Sequence, residues 1–279
     1  MAAVGLIAHE ERPEAVAIRD RAARWLEQFG HEGRRLDVTD RPDGTAGAEL
    51  SGVDLVVSLG GDGTMLRAVR VAAPAGVPVL GVNLGHLGYL TTLEPADLED
   101  GLRRFLAGDH TLDRRMTLEV CRRRPGGCVD GERHFCLNDV VLQRPGGGHT
   151  IRVEVAVGGR PFVAFAADAL IVATPTGSTA YNLSARGPIV SPRARVQIVT
   201  PVAPHSLFDR SLVLDADERV TVRATDGRPA DVVVDGVLVG GLGDGEEVEM
   251  LAGQDACLVT FEGHEFPEIL RAKFGLDQP

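Results

Sequence analysis

Lysine is nearly missing from this chain: of 29 basic residues only Lys273 is a lysine, and the rest are arginine. That excludes a P-loop, which needs a lysine after its second glycine. Aromatic residues make up 4% of the sequence, which leaves little material for a lipid-binding surface. The four cysteines, Cys121, Cys128, Cys136 and Cys257, are too sparse for a disulfide scaffold and form no C-x-x-C pair. A zinc cluster of Cys121, Cys128, His134 and Cys136 would need irregular spacing within strand-like stretches, so buried or half-buried thiols are the preferred reading. Long apolar runs are absent too. Stretches such as 169–173 and 232–234 are strand-length, far short of the roughly 20 residues that cross a bilayer. Residues 1–9 have no basic n-region and no cleavage pattern, so they read as a first strand and a cytoplasmic location is expected. Positive charge is short as well: the formal net charge is −11, which disfavours nucleic acid as a partner, because duplex affinity depends on clustered Lys and Arg. The one basic run, Arg122-Arg123-Arg124, precedes Pro125-Gly126-Gly127 and reads as a solvated hairpin tip.

What is present is enough apolar material, 44% of 279 residues, for two cores. Residues 3–8 read as a strand, and Pro13 opens a stretch with Val16, Ile18, Ala22, Trp25, Leu26 and Phe29 at helical spacing. The apolar run 54–59 ends in glycines, and helical periodicity resumes over 64–73. Residues 77–83 repeat the strand and glycine turn, and a helix follows over 95–107 with Leu98, Leu102, Phe105 and Leu106 on one side. This repetition predicts an α/β domain with a parallel sheet and flanking helices over residues 1–112. After Asp113 the period becomes two, with alternation at 151–157 and 220–223. Further strand candidates lie at 116–122, 135–142, 162–173, 196–200, 231–239 and 246–251. An all-β domain of two sheets over 113–261 is the natural solution. The stretch 267–274 reads as a helix again, so residues 262–279 are expected to return to the first domain.

Two segments carry chemistry. Gly60-Gly61-Asp62-Gly63-Thr64 lies between a predicted strand and a predicted helix, where glycines let backbone N–H groups approach a phosphate at a helix N-terminus. Asp62 is anomalous there, since a carboxylate among phosphate-binding amides repels the ligand unless it binds Mg²⁺ or accepts a proton. The plain alternative is a glycine turn with Asp62 or Thr64 as an N-cap. Thr174-Pro175-Thr176-Gly177-Ser178-Thr179-Ala180-Tyr181 follows an apolar strand and offers hydroxyls suited to sugar, phosphate and base edges. Its plain alternative is a Ser/Thr-rich turn capping a short helix near Ser178.

Together and in this order, the two segments resemble the NAD kinase family. Further matches are Gly81-Val-Asn-Leu-Gly-His-Leu-Gly-Tyr-Leu90, Leu137-Asn138-Asp139, Ser184-Ala-Arg-Gly-Pro-Ile-Val190 and Thr200-Pro-Val-Ala-Pro-His205-Ser206-Leu207. The resemblance implies an α/β nucleotide-binding domain, a β domain for NAD binding and oligomerisation, and a site in the cleft between them. It implies Asp62 as the base on the 2′-hydroxyl of the adenosine ribose, and Gly60, Gly61, Gly63 and Thr64 as the nucleotide triphosphate loop. Asn138 and Asp139 match a pair that holds the adenosine, with Thr179, Ala180, Tyr181 and Ser184 as its second wall. Asp168 matches an acidic ligand near the other end of NAD, and His149 and Asp235 fall near family ligand positions. Mg²⁺, a donor that is ATP or polyphosphate, and a homodimer or homotetramer are implied as well. No protein-held metal cluster is expected.

The chain departs from the family pattern in places. Asp139 stands where glutamate is common, Ala166 where many members have arginine, and Arg186 where glycine is usual. A ribose hydroxyl is a far weaker acid than a carboxylic acid of pKa about 4, so Asp62 is expected to orient it and take its proton late. Arg67 or Arg70 is a candidate for added charge neutralisation. Two rival readings share some of these residues: a lipid or sugar kinase with the same Gly-Gly-Asp-Gly loop, and a catalytically silent NAD-binding regulatory module. His86, His110 and His205 read as turn or packing residues, and Trp25 as core.

Overall fold

The computed structural model describes residues 1–38, 50–85, 88–124, 127–146, 149–261 and 266–276, with backbone alone for 127–132. Strand β1 (Ala3–Ala8) is buried along its whole length, as befits a central strand of a sheet covered on both faces. Pro13 occupies the start of α1 (Pro13–Gln28), where its missing N–H has no helical partner to lose. The helix buries Ala15, Ile18, Ala22, Trp25 and Leu26. Phe29, which fits the same stripe by spacing, is the C-cap residue instead and is exposed, its ring 4.7 Å from that of Trp25. Then come β2 (Glu32–Arg35), β3 (Leu55–Gly60), α2 (Asp62–Ala72), β4 (Val79–Asn83), α3 (Leu98–Leu106) and β5 (Thr111–Arg115). β1 pairs in parallel with β2 and β3, and β3 with β4. Leu6, Leu26, Leu55, Leu59, Leu80, Leu98 and Leu102 form one core with no exposed surface.

The second stretch runs through β6 (Leu118–Arg124), β7 (Gly127–Cys136), β8 (Asp139–Gln143), β9 (Ile151–Val157), β10 (Arg160–Ala167) and β11 (Ala169–Ala173). A 3-10 turn at Thr176–Thr179 and the short helix α4 (Tyr181–Ser184) follow. The chain continues with β12 (Val196–Val202), β13 (Leu212–Asp215), β14 (Val220–Ala224), β15 (Ala230–Val234), β16 (Val237–Leu242) and β17 (Glu247–Ala252). These strands make two sheets, ordered β10-β9-β14-β17-β6-β7 and β13-β12-β11-β8-β15-β16. Leu118, Val153, Val222 and Val248 of the first meet Val140, Leu142, Leu170 and Val172 of the second in a shared core, as in a sandwich. The second sheet is covered on its other face as well, where Val141, Ile171 and Ile198 pack with Ala185 and Val190. That double burial explains why 169–173 is continuously apolar.

Finally β18 (Ala256–Thr260) adds to the first sheet parallel to β4, giving the order β2-β1-β3-β4-β18-β5. The chain thus returns through a strand, where the sequence pointed only to the helix, because a short apolar run does not disclose which sheet will pair it. Helix α5 (Phe266–Phe274) follows and buries none of its residues. The units are Met1–Arg114 with Ala256–Pro279, and Arg115–Asp255. Among the described residues no helix is long and apolar enough to cross a membrane.

Three strand candidates prove to be broken. The stretch 135–142 divides into β7 and β8 around Leu137 and Asn138, and 162–173 divides into β10 and β11 at Asp168. At both points the chain leaves one β sheet for the other. The stretch 231–239 is a hairpin, β15 and β16, turning on Asp235 and Gly236 with φ of 47° and 79°, the left-handed pair that a two-residue loop prefers. The arginine run does lead into a hairpin, β6–β7, with Arg124 exposed, but it is not solvated throughout. Arg122 is buried and donates to the Gly241 carbonyl at 2.7 Å, while Arg123 and Arg124 reach Glu249 and Glu246. Cys121 is disulfide-bonded rather than a thiol, and Cys136 and Cys257 are free.

Arg186 closes α4 with φ of 63°, its N–H on the Leu183 carbonyl, and its side chain is exposed. A Cβ disfavours that left-handed backbone. Arg186→Gly is therefore expected to raise stability by about 0.5–1 kcal/mol, read as a higher urea midpoint with unchanged slope.

Candidate active site

In the first unit the glycine segment closes β3 and opens α2. A Cβ on Gly60 would lie 2.2 Å from the Thr64 hydroxyl, so no side chain fits there, whereas Gly61 and Gly63 face open space. The Gly61 carbonyl accepts the N–H groups of Thr64 and Met65 at 3.0 and 3.1 Å, which starts the helix. Asp62 is its first residue and is half-buried. Its Oδ2 accepts the Tyr89 N–H at 3.1 Å and its Oδ1 the Leu90 N–H at 3.2 Å. Any side chain at Gly88 would meet the same carboxylate at 2.4 Å. The segment 88–90 therefore wraps Asp62 and fixes its direction, while each oxygen keeps a further acceptor position. Burial, and then the charge of Asp62, push the Tyr89 phenol above its ordinary pKa, and the Lys273 ammonium lies 4.2 Å from the Tyr89 ring centre. Of the two arginines considered for charge neutralisation, Arg70 is buried eight residues into α2, a rise of about 12 Å, and so is misplaced for a phosphate at the helix start. Arg67 is half-buried. The Tyr89–Leu90 clamp went unassigned from sequence; its one signal was the match through 81–90.

In the second unit the break between β7 and β8 carries Asn138, half-buried, and Asp139, buried. The Thr174 hydroxyl donates to the Leu137 carbonyl at 2.5 Å, and the Thr174 N–H to the Asn138 carbonyl at 2.9 Å. Gly177 lies so close that an added Cβ would sit 2.0 Å from the Asn138 oxygen, so only glycine lets these two segments touch. The Tyr181 N–H reaches the Asp139 carboxylate. Thr179 and Ala180 are half-buried, and Tyr181 and Ser184 are exposed. Asp235 comes in from the β15–β16 turn with its carboxylate on the backbone N–H groups of Leu137, Asn138 and Asp139. Burial first, and the negative charge of Asp235 second, raise the Asp139 pKa to about 7, against a lowering by the Tyr181 N–H.

The structure does not bring all the candidates together. Thr174 follows β11 and Asp168 precedes it, so six strand steps, ~20 Å, separate them. Asp168 faces Arg144 at 3.5 Å, both half-exposed, and the Ala166 carbonyl accepts the His205 N–H at 2.7 Å. His149 is exposed in the loop between β8 and β9. His205 is exposed, His110 stacks on Phe105 at 4.5 Å, and His86 lies outside the described residues. Trp25 is part of the first core.

The ATP-NAD kinase N-terminal domain model matches residues 34–110, and the ATP-NAD kinase C-terminal domain model matches residues 137–260. The NAD kinase of Heliobacterium modesticaldum is 41% identical over 281 residues, covering 98% of each chain. This chain belongs to the ATP-NAD kinase family. An NAD kinase places a phosphoryl group on the 2′-hydroxyl of the adenosine ribose of NAD and so makes NADP. Yeast NADH kinase complexed with NADH shares the fold, with a TM-score of 0.83 at 21% identity over 100% of this chain and 89% of that one. So does an NAD kinase from Archaeoglobus fulgidus in complex with ATP, with a TM-score of 0.73 at 24% identity over 99% and 98%. The lipid or sugar kinase and the silent module lose their footing, because the NAD kinase match runs through both domains.

The raised pKa of Asp139 carries a stability consequence for this NAD kinase. The neutral acid contributes stability that is fully present below the ordinary carboxylate range and is lost as pH rises through about 7. The urea midpoint of wild type relative to Asp139→Asn is therefore expected to fall between pH 4.5 and pH 8, and a difference that stays flat across that window would contradict the assignment.

Proposed function

We propose that Asp62 is the base of the reaction, that ATP is the donor, and that Asn138 and Asp139 with the wall Thr179, Ala180, Tyr181 and Ser184 hold the adenosine half of NAD. The observation that carries this reading is the Asp62 carboxylate, half-buried at the first turn of α2 and gripped by two amides with acceptor capacity to spare. A ribose hydroxyl donating to it is oriented for in-line attack, and its proton passes to Asp62 as the new O–P bond forms. The turn of Gly60, Gly61, Gly63 and Thr64 receives the phosphates, with Gly61 and Gly63 facing open space, where the start of α2 adds a favourable dipole. The Archaeoglobus fulgidus relative in complex with ATP supports ATP as a donor.

Mg²⁺ fits the residues present, since Asp62 offers a hard oxygen at the phosphate loop and an ion carried on nucleotide phosphates needs only one or two protein carboxylates. When bound it would neutralise charge on the transferring phosphate. Ala166, Asp168 and His149 fall to the nicotinamide half in this reading. Asp235 belongs with the adenosine half. We place the enzyme in the cytoplasm as a homodimer or homotetramer joined through the β unit, where Phe162, Leu207 and Phe208 present apolar surface.

Asp62→Asn is expected to lower kcat by ~10²–10⁴-fold with little change in the KM for NAD, and chelation of Mg²⁺ to stop turnover until the ion is restored. Turnover of Asp62→Asn at the wild-type rate would sink the proposal. Lacking an arginine at 166, the wild type should discriminate less against NADH than Ala166→Arg does. Equal rejection of NADH by the two proteins, measured as the ratio of kcat/KM values, counts against that role.

A further inference from the structure

Asp235 begins the two-residue turn between β15 and β16 with φ of 47°, a backbone conformation that costs a non-glycine residue about 1 kcal/mol or more. It is 8% exposed. Its Oδ2 accepts the Leu137 N–H at 2.8 Å, and its Oδ1 the N–H groups of Asn138 and Asp139 at 2.7 and 3.3 Å and the Cys136 thiol at 3.5 Å. In return its own N–H donates to the Asp139 carbonyl at 3.0 Å. With at least these four donors on it and little surface open, the carboxylate is engaged chiefly with its own chain. What those donors belong to is the gap between β7 and β8, whose Leu137 and Asn138 pair in neither sheet.

We infer that Asp235 is a positioning residue of the dinucleotide site: from the β15–β16 turn it clamps the backbone of 137–139, and so aims Asn138 and Asp139 at the ligand without touching it. The inference rests on the reading that Asn138 and Asp139 hold the adenosine half. The hairpin turn holds Asp235 in place, and burial of its carboxylate is offset by the N–H groups it accepts.

The clamp has an electrostatic side. The groups that face Asp139 are the Asp235 carboxylate from the β15–β16 turn, the Tyr181 N–H from the start of α4, and, through Asp235, the Cys136 thiol at the end of β7. Ribose hydroxyls donate best to an ionised Asp139, so dinucleotide binding strengthens as that acid loses its proton. Asp235 sets where on the pH scale this happens.

The test is steady-state kinetics on the full-length enzyme with NAD and ATP, from about pH 5.5 to about pH 8.5, for wild type, Asp235→Asn and Asp139→Asn. In wild type the KM for NAD is expected to fall as pH rises through about 7. In Asp235→Asn the KM for NAD at high pH rises about tenfold or more, kcat changes by less than about threefold, and the fall in KM moves to lower pH by about one unit. A wild-type KM in Asp235→Asn, or a raised KM whose pH profile has not moved, overturns the inference. An unchanged KM in Asp139→Asn instead defeats the underlying reading of the adenosine site. Should Asp235→Asn fail to fold, amide hydrogen exchange of wild type decides the matter. Strong protection of the Leu137 and Asn138 N–H groups, which neither sheet pairs, supports the clamp, and exchange as fast as in an exposed loop refutes it.

Discussion

Backbone N–H and C=O groups must find partners wherever a strand leaves its ladder inside a protein, and the β unit faces that demand where β7 gives way to β8. Neither sheet pairs Leu137 or Asn138. The Asp235 carboxylate takes the N–H groups of both, and the Thr174 hydroxyl and N–H take their two carbonyls. Two elements distant in sequence thus solve one local hydrogen-bonding problem. The solution presses the hairpin turn, the β8 start and the Thr174–Tyr181 segment into one knot, closed by Gly177 against Asn138.

The α/β unit uses the same chemistry with a different outcome. There too a carboxylate, Asp62, gathers backbone N–H groups from a distant loop, at Tyr89 and Leu90. Asp62 is half-buried with one amide on each oxygen, whereas Asp235 is buried with at least four donors on it. Exposure and load together distinguish the two carboxylates. A carboxylate at the glycine loop is tolerable because those two amides offset its charge.

Much of the fold was legible because it is written in local periodicity. β1 and β9 fall where the alternation and apolar runs place them, and the strand, glycine turn and helix of the first unit follow from the spacing of Leu55, Leu59, Met65 and Val69. The breaks were not legible. Residues 135–142 and 162–173 carry an unbroken strand pattern, and nothing local says that a chain should change sheets at Asn138 or Asp168. Those breaks are where candidate site residues sit. For Asp62 the glycines announced the loop, but its clamp comes from 27 and 28 residues away, a contact without a sequence period. The burial of Arg122 within the arginine run was hidden for the same reason, since the carbonyl and carboxylates that bind the run come from β16, β17 and the turn before β17.

The scarcity of lysine acquires a use in the folded protein. Lys273 is exposed and lies over the Tyr89 ring, and the Tyr89 backbone is bound to Asp62. Apart from the α-amino group of Met1, no other primary amine exists along the chain. An amine-directed fluorophore therefore has two places to attach, the α-amine and a side chain beside the glycine loop, and raising the pH well above the α-amine's pKa lets the second compete.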